Sequence, residues 1–145
     1  MRSFLKKKSG QETMRVLIVE DEALVAMEIE GMLGLAGHEA VGQADDLPSA
    51  IEAAEAARPD LALVDIRLAH GASGLDVAAA LKARGIQVLF ATGNCPLDEG
   101  RDVALGCLHK PITDRTLAGA LSAAEALLAG QQPPAVPPAM HLYAS

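Results

Sequence analysis

Four short apolar runs in this chain each end in a residue type that can do chemistry. Val16-Leu17-Ile18-Val19 is closed by Glu20-Asp21, and Leu61-Ala62-Leu63-Val64 by Asp65. Thr92 follows Val88-Leu89-Phe90-Ala91, and Lys110-Pro111 follows Gly106-Cys107-Leu108-His109. In an open parallel sheet the carboxyl ends of the strands lie along one rim, and ligands bind in the crevice there. If these runs are parallel strands, three carboxylates, a hydroxyl and an ammonium converge. Such an oxygen-rich set suits Mg2+, which takes one or two carboxylates together with waters and phosphate oxygens. The cation in turn relieves the repulsion among Glu20, Asp21 and Asp65. A carboxylate held beside it can attack an incoming phosphoryl group and carry it as an aspartyl phosphate. Charge on the phosphoryl oxygens then needs a point charge and a hydroxyl. On this reading Asp65 is the nucleophile, Lys110 the electrostatic clamp and Thr92 the hydroxyl that reaches for the bound group.

Each element alone says little. A Glu-Asp pair after a strand often opens a solvated helix, because acids favour the first turn. A Lys-Pro in a loop is ordinarily without consequence. The weight lies in the joint occurrence at four separate strand ends.

The elements that must position these residues alternate. Met14–Val19 reads as a strand buried on both faces, since its apolar run is nearly continuous. Val25, Ile29, Met32, Leu33 and Ala36 recur at helical spacing before a stop at Gly37. Glu39–Gln43 is a weaker strand candidate. A helix follows from about Pro48 to Ala57, with Pro48 in its first turn. After Arg58-Pro59 comes the strand Leu61–Val64, then a loop to Ala72. Ser73 caps a helix from Gly74 to Arg84, with Asp76 placed as in a capping box. Ile86–Ala91 is a buried strand, Pro96–Leu105 a poor helix containing Gly100, and Gly106–His109 the last strand. Thr113 caps a final helix whose Leu117, Ala120, Leu121, Ala124 and Leu128 form an apolar stripe. Five strands alternating with five helices predict a doubly wound parallel sheet with right-handed crossovers. The expected organisation is a disordered basic extension over 1–13, one domain over 14–130, and a disordered Pro-rich tail over 131–145.

Composition narrows the function classes. Of 145 residues, Asp and Glu outnumber Lys and Arg by 19 to 12, and the formal net charge of −7 disfavours phosphate backbones as direct partners. With two Phe, one Tyr and no Trp, the core must be aliphatic. No apolar run approaches the ~20 residues that span a bilayer. The basic start lacks the apolar segment of a secretory signal, so the expected location is cytoplasmic, with no membrane partner. Cys95 and Cys107 are too few for a disulfide framework and read as small buried hydrophobes in a reducing compartment. With His109 they match no closed zinc set. His38, His70 and His141 read as structural or solvent-exposed, and His109 should point away from Lys110 because strand faces alternate.

From Met14 to about Gly130 the chain resembles the receiver domain of two-component response regulators. The matching segments are Val-Leu-Ile-Val-Glu-Asp-Glu, Asp60-Leu-Ala-Leu-Val-Asp65-Ile, Phe90-Ala-Thr92-Gly and Lys110-Pro111. The resemblance implies a flavodoxin-like fold with strand order 2-1-3-4-5. It implies Mg2+ held by Glu20, Asp21, Asp65 and the backbone carbonyl of Arg67. Asp65 would take a phosphoryl group from a phosphohistidine on a sensor histidine kinase or a phosphotransfer protein. Thr92 would be the switch hydroxyl and Lys110 the site lysine. Phe90-Ala-Thr92-Gly, followed soon by a proline, is similar to the alphaproteobacterial single-domain regulators named for a Phe-Ala-Thr-Gly motif, several of which work in stress-response phosphorelays. Two departures stand out: Asn94-Cys95-Pro96 replaces a hydrophobic-Tyr pair, and Cys107 holds the place where receivers usually carry the aromatic that rotates with the switch hydroxyl.

The expected output is phosphorylation-dependent protein binding on the face of the fourth helix, fifth strand and fifth helix, with no output domain after the last helix. A phosphate shuttle or sink that drains a kinase remains open. An aspartyl-phosphate-type phosphatase is weaker, because the acid it needs two residues after the nucleophile is Arg67 here. A flavin module is weaker still, lacking a Ser/Thr-rich phosphate loop after the first strand. No turnover chemistry beyond self-phosphorylation and self-dephosphorylation at Asp65 is expected.

Overall fold

The computed structural model describes residues 5–6, 12–68 and 71–143. Two short strands, β1 (Leu5–Lys6) and β2 (Glu12–Thr13), pair antiparallel. The rest of the predicted disordered extension 1–13 lies outside the described residues, as does His70. The main body then runs β3 (Arg15–Val19), α1 (Ala23–Leu35), β4 (Glu39–Ala44), α2 (Leu47–Ala57), β5 (Leu61–Val64), α3 (Gly74–Ala83), β6 (Gln87–Thr92), β7 (Gly106–His109), α4 (Asp114–Leu128) and β8 (Met140–Leu142). Six strands form one sheet in the order β4-β3-β5-β6-β7-β8. The first five are parallel and reproduce the expected 2-1-3-4-5 order.

Alternation along the strands divides the core in two. Val16 and Ile18 on β3, Leu61 and Leu63 on β5, Leu89 on β6 and Leu108 on β7 pack under α1 and α4. The intervening Leu17, Val19, Ala62, Val64, Val88, Phe90 and Cys107 pack under α2 and α3. Strands covered on both faces carry unbroken apolar runs, which is why these four segments were legible. Ser73 and Thr113 cap their helices as expected, but the capping box with Asp76 does not form, because Ser73 accepts from the second helical N–H, Leu75 N, rather than from Asp76 N. Ser73 Oγ accepts from Leu75 N at 3.1 Å, and Thr113 and Thr116 cap α4 reciprocally. Of the α4 stripe, Leu117, Ala120, Leu121 and Ala124 are fully buried and Leu128 partly so.

Three further expectations are corrected. Pro96–Leu105 is not a helix, so the domain has four helices among the described residues rather than five. The segment is a series of turns, with Arg101 N on Asp98 O, and Val103 N and Ala104 N both on Gly100 O. Gly100 weakens a helix intrinsically, and no apolar stripe is available to dock one: Leu97 is 69% exposed while Val103 and Ala104 turn into the core edge. Second, the tail is not disordered throughout. Its Pro-rich part leads into β8, which pairs antiparallel with β7 through Gly106↔Leu142, Cys107↔His141 and Leu108↔Met140. The open edge of β7 supplies unpaired backbone groups, and an extended segment satisfies them. Third, Cys95 and Cys107 are not free thiols but a disulfide. That bond also removes the zinc alternative at Cys95, Cys107 and His109.

Gly100, Gly106 and Gly119 make room for the tail. A Cβ at Gly100 would lie 2.7 Å from the Tyr143 ring, one at Gly106 2.5 Å from His141 O, and one at Gly119 2.7 Å from Pro137 Cγ. Tyr143 Oη donates to Pro96 O at 2.6 Å, and Tyr143 N to Leu105 O at 3.0 Å. The fourth-helix face expected as the output surface is therefore a turn segment covered in part by the chain's own C-terminal strand.

Candidate functional site

Parallel pairing brings the strand ends level. Val19 stands beside Val64, Val64 beside Phe90, and Thr92 beside His109. Backbone bonds carry the ladder one residue past the strands: Glu20 N to Ala44 O at 2.9 Å, Asp65 N to Val19 O at 2.9 Å and Lys110 N to Thr92 O at 2.8 Å. The site residues thus hang from the rigid sheet rather than from free loops, which fixes their mutual positions. Lys110 precedes Pro111 through a cis peptide bond.

Lys110 is the hub. Its Nζ donates to Glu20 Oε1 at 2.7 Å and to Asp65 Oδ2 at 3.0 Å. The other oxygen of each carboxylate accepts from a backbone N–H two residues further on: Glu20 Oε2 from Glu22 N, and Asp65 Oδ1 from Arg67 N, both at 3.2 Å. Glu20, Asp65 and Thr92 are buried, Asp21 is exposed and Lys110 is intermediate. Carboxylate oxygens of Glu20, Asp21 and Asp65 lie within 4.8 Å of one another, the one such cluster of possible metal ligands among the described residues. All three sequence-predicted acids, Thr92, Lys110 and Arg67 are thereby brought to one place. Asp21, Glu22, Asp65, Arg67, Leu68, Thr92, Gly93, Asn94 and Lys110 line a cleft of about 510 Å³.

Burial raises the Glu20 carboxyl above its usual range, and the nearby Asp65 charge adds to that, outweighing the hydrogen bonds from Lys110 and Glu22. Burial works against the Lys110 ammonium, but its hydrogen bonds to Glu20 and Asp65 outweigh this and hold its pKa above the usual value. A buried carboxylate pair sharing one cation is a site short of positive charge. Its hard oxygen donors, with one exposed acid at the mouth, fit a divalent cation of the Mg2+ class. The cleft above it has room for a phosphoryl-sized group. Charge of that kind is what a Lys ammonium and backbone N–H groups stabilise.

One positioning residue was not singled out from the sequence. At Gly74, the first residue of α3, a Cβ would stand 2.1 Å from Asp65 O and 2.7 Å from Ile66 Cα, and Gly74 N donates to Ile66 O at 2.7 Å. The signal was present: a glycine is a poor choice directly behind the cap Ser73 unless another backbone passes close by. Asn94 and Glu22 on the cleft wall were also missed, and being exposed polar loop residues they carry no distinguishing pattern. The histidines behave as expected where they are described. His38 Nδ1 accepts from Met14 N at 3.0 Å, and His109 is exposed while its neighbour Lys110 turns into the site.

Residues 16–122 match the model of the response regulator receiver domain. The regulator PhyR of Methylorubrum extorquens is 44% identical over 79 residues, which cover 53% of this chain and 30% of PhyR. The transcriptional regulatory protein PdtaR of Mycobacterium tuberculosis is 38% identical over 115 residues, covering 76% of this chain and 56% of PdtaR. The chain thus spans about half or less of the length of these relatives. Among solved structures, the anti-anti-sigma factor PhyR of Bartonella quintana is 32% identical with a TM-score of 0.72, covering 84% of this chain and 50% of that one. The receiver domain of PhyR from Erythrobacter litoralis is 29% identical with a TM-score of 0.70, covering 86% and 96%. The family match, the parallel strand order and the acid–lysine cluster at the strand ends agree: the chain belongs to the response regulator receiver domain family.

Proposed function

We propose that the chain is a phosphorylation-gated signalling receiver whose acceptor is Asp65. Glu20, Asp21, Asp65 and the Arg67 carbonyl would hold a Mg2+ ion. When bound, that ion neutralises the acidic cluster and charge on the transferred phosphoryl oxygens. The chain's own residues do the rest. Asp65, held by Arg67 N and Lys110 Nζ, presents its carboxylate to the cleft. A phosphorus–nitrogen bond of a phosphohistidine donor breaks as the Asp65 oxygen–phosphorus bond forms, and the imidazole leaves. Lys110 then shifts its hydrogen bond from the carboxylate to a phosphoryl oxygen. Thr92, at the end of β6, turns its hydroxyl to the same group and draws Gly93–Leu105 with it. The single observation carrying this reading is the Lys110 ammonium bridging Glu20 and Asp65.

The output is protein binding, and the setting cytoplasmic. No helix among the described residues is long and apolar enough to cross a membrane, and the acidic balance disfavours nucleic acid. One relative's structure is named as that of an anti-anti-sigma factor, whose partner is by that name a protein. The output surface combines Gly93–Leu105, β7, β8 and α4, in place of the fourth-helix face expected from sequence. A histidine kinase or phosphotransfer protein is the donor, and the likeness of Phe90-Ala-Thr92-Gly to the single-domain regulators of that motif favours a stress-response phosphorelay as the setting. Incubation with Mg2+ and a small acyl phosphate should add one acid-labile phosphoryl group per chain, read by intact mass. Asp65→Asn should abolish it, and label retained in that variant would remove Asp65 as the acceptor.

A further inference from the structure

We propose that Cys95 and Cys107 form a reversible thiol–disulfide site that sets how Gly93–Leu105 is held against the sheet. The proposal rests on the phosphoacceptor reading for its consequence, though not for its chemistry. The two residues are 12 apart in sequence with Cα atoms 5.9 Å apart, within the range a disulfide spans without backbone movement. Their placement is specific. Cys107 lies inside β7, fully buried, level with Phe90 on β6 and His141 on β8. Cys95 lies three residues after Thr92 on the turn segment that follows the cleft. The bond therefore fastens the segment leaving Thr92 to β7, the strand that leads directly into Lys110.

Access to the two sulfurs is unequal. Cys95 is half-buried and lines a second cleft of about 420 Å³ with Arg67, Thr92, Asn94 and Pro96. A small disulfide reaches Cys95 from that side, whereas Cys107 projects into the buried cluster on the same sheet face as Phe90 and Val88 and has no exposed surface. Oxidation then has a fixed order. The Cys95 thiolate attacks one sulfur of a low-molecular-weight disulfide, and one small thiol leaves. The Cys107 thiolate attacks the Cys95 sulfur of the mixed disulfide, and the second small thiol leaves. The two protein thiols lose two electrons and two protons, and the small disulfide gains both. In a cytoplasmic receiver such a bond is of the transient, sensing kind, because that compartment keeps ordinary thiols reduced.

Reduction leaves Cys107 as a small buried side chain and frees Cys95. The segment is then held by Tyr143 Oη on Pro96 O, Leu105 N on Val88 O and the Lys82 ammonium on Asp102 O. Because Thr92 sits at the root of the segment, its freedom to turn toward Asp65 differs between the two redox forms. Coupling of this kind is reciprocal, so phosphorylation also shifts the redox equilibrium.

The test uses the full chain equilibrated in reduced and oxidised glutathione at a series of ratios, acid-quenched, alkylated and weighed intact. Hydrogen exchange and labelling by Mg2+ and acetyl phosphate are measured on both redox forms. The expected result is one intramolecular disulfide, slower amide exchange across 93–105 when oxidised, and labelling rates that differ by about fivefold or more. Cys95→Ser should exchange and label like the reduced form at every ratio; Cys107→Ala should do the same and guards against a folding defect in either variant. Failure to form the bond at any ratio, or identical exchange and labelling in both forms, overturns the proposal. Redox-dependent exchange with no labelling in either form upholds the thiol site and overturns the phosphoacceptor reading instead.

Discussion

Replacing Gly74 with Ala tests whether the acceptor loop is positioned by the close approach of α3. The added methyl would lie 2.1 Å from Asp65 O and 2.7 Å from Ile66 Cα. Both are backbone atoms, of Asp65 itself and of the residue after it, so neither can yield by a rotamer change. Overpacking of this kind costs about 1–3 kcal/mol, and the rigid neighbours put this case at the upper end. Moving α3 away also lengthens the 2.7 Å bond from Gly74 N to Ile66 O, a further loss of roughly 1 kcal/mol. Ala is the better helix former by at most about 1 kcal/mol, and less at a first-turn position. The net destabilisation is about 3 kcal/mol, which for a domain of this size lowers Tm by roughly 10 °C. Thermal unfolding followed by circular dichroism measures it. Labelling by acetyl phosphate below the lowered Tm should also slow, because Asp65 and Arg67 N are displaced together. An unchanged Tm would refute the reasoning, and a lowered Tm with an unchanged labelling rate would limit Gly74 to stability.

Lys110→Met removes the one ammonium shared by Glu20 and Asp65, and should slow labelling by about 10²–10³-fold, measured in single-turnover reactions at saturating Mg2+. Ending the chain at Gly130 should speed exchange of the His109 amide, which donates to Ala139 O at 2.9 Å, while the Glu20 amide on the opposite side of the sheet stays protected; proton exchange by NMR reads both. Tyr143 is the one tyrosine and there is no Trp, so its phenolate absorbance titrates alone. Burial and the Glu99 charge hold its pKa above the ordinary 10.0. A folded value above the unfolded one stabilises docking below pH 10 and loses that contribution as pH rises through the folded value. The tail should therefore loosen only in strongly alkaline solution, and Tyr143→Phe should lose the Pro96 contact without that pH dependence.

What the sequence disclosed and what it withheld differ in the range of the interactions involved. The four buried strands, the caps Ser73 and Thr113 and the α4 stripe follow from residues a few positions apart, so pattern alone locates them. Glu20, Asp21, Asp65, Thr92 and Lys110 were legible for a different reason: parallel order puts every strand end on one rim, so topology substitutes for distance. Gly74 against Asp65 O, Cys95 with Cys107, and Tyr143 on Pro96 are pairings decided only after the chain is folded. The error at Pro96–Leu105 has the same origin. A weak helical pattern loses to external fastenings when no apolar stripe holds it down.

These fastenings fall on one side of the molecule, and that distribution bears on how a signal leaves the site. The acceptor half is rigid: Glu20, Asp65 and Lys110 are each bonded through the backbone to a neighbouring strand. The segment after Thr92 has no internal helix and is held from outside, by a disulfide to β7, by Tyr143 from the tail and by Lys82 from α3. A receiver with an aromatic at position 107 could report the movement of Thr92 by rotating a ring through the sheet edge. Cys107 offers no ring to rotate, and β8 covers the strand that carries it. Under the proposed switch role of Thr92, its movement would reach the surface by shifting the segment against its fastenings. Since Tyr143 N and Oη hold both Leu105 and Pro96, any such shift passes to β8 and the tail. On the proposed reading the partner surface is composite, made of turn segment, edge strand and tail, and a variant that frees the tail should change partner affinity, measured by titration calorimetry, even with Asp65 labelling intact.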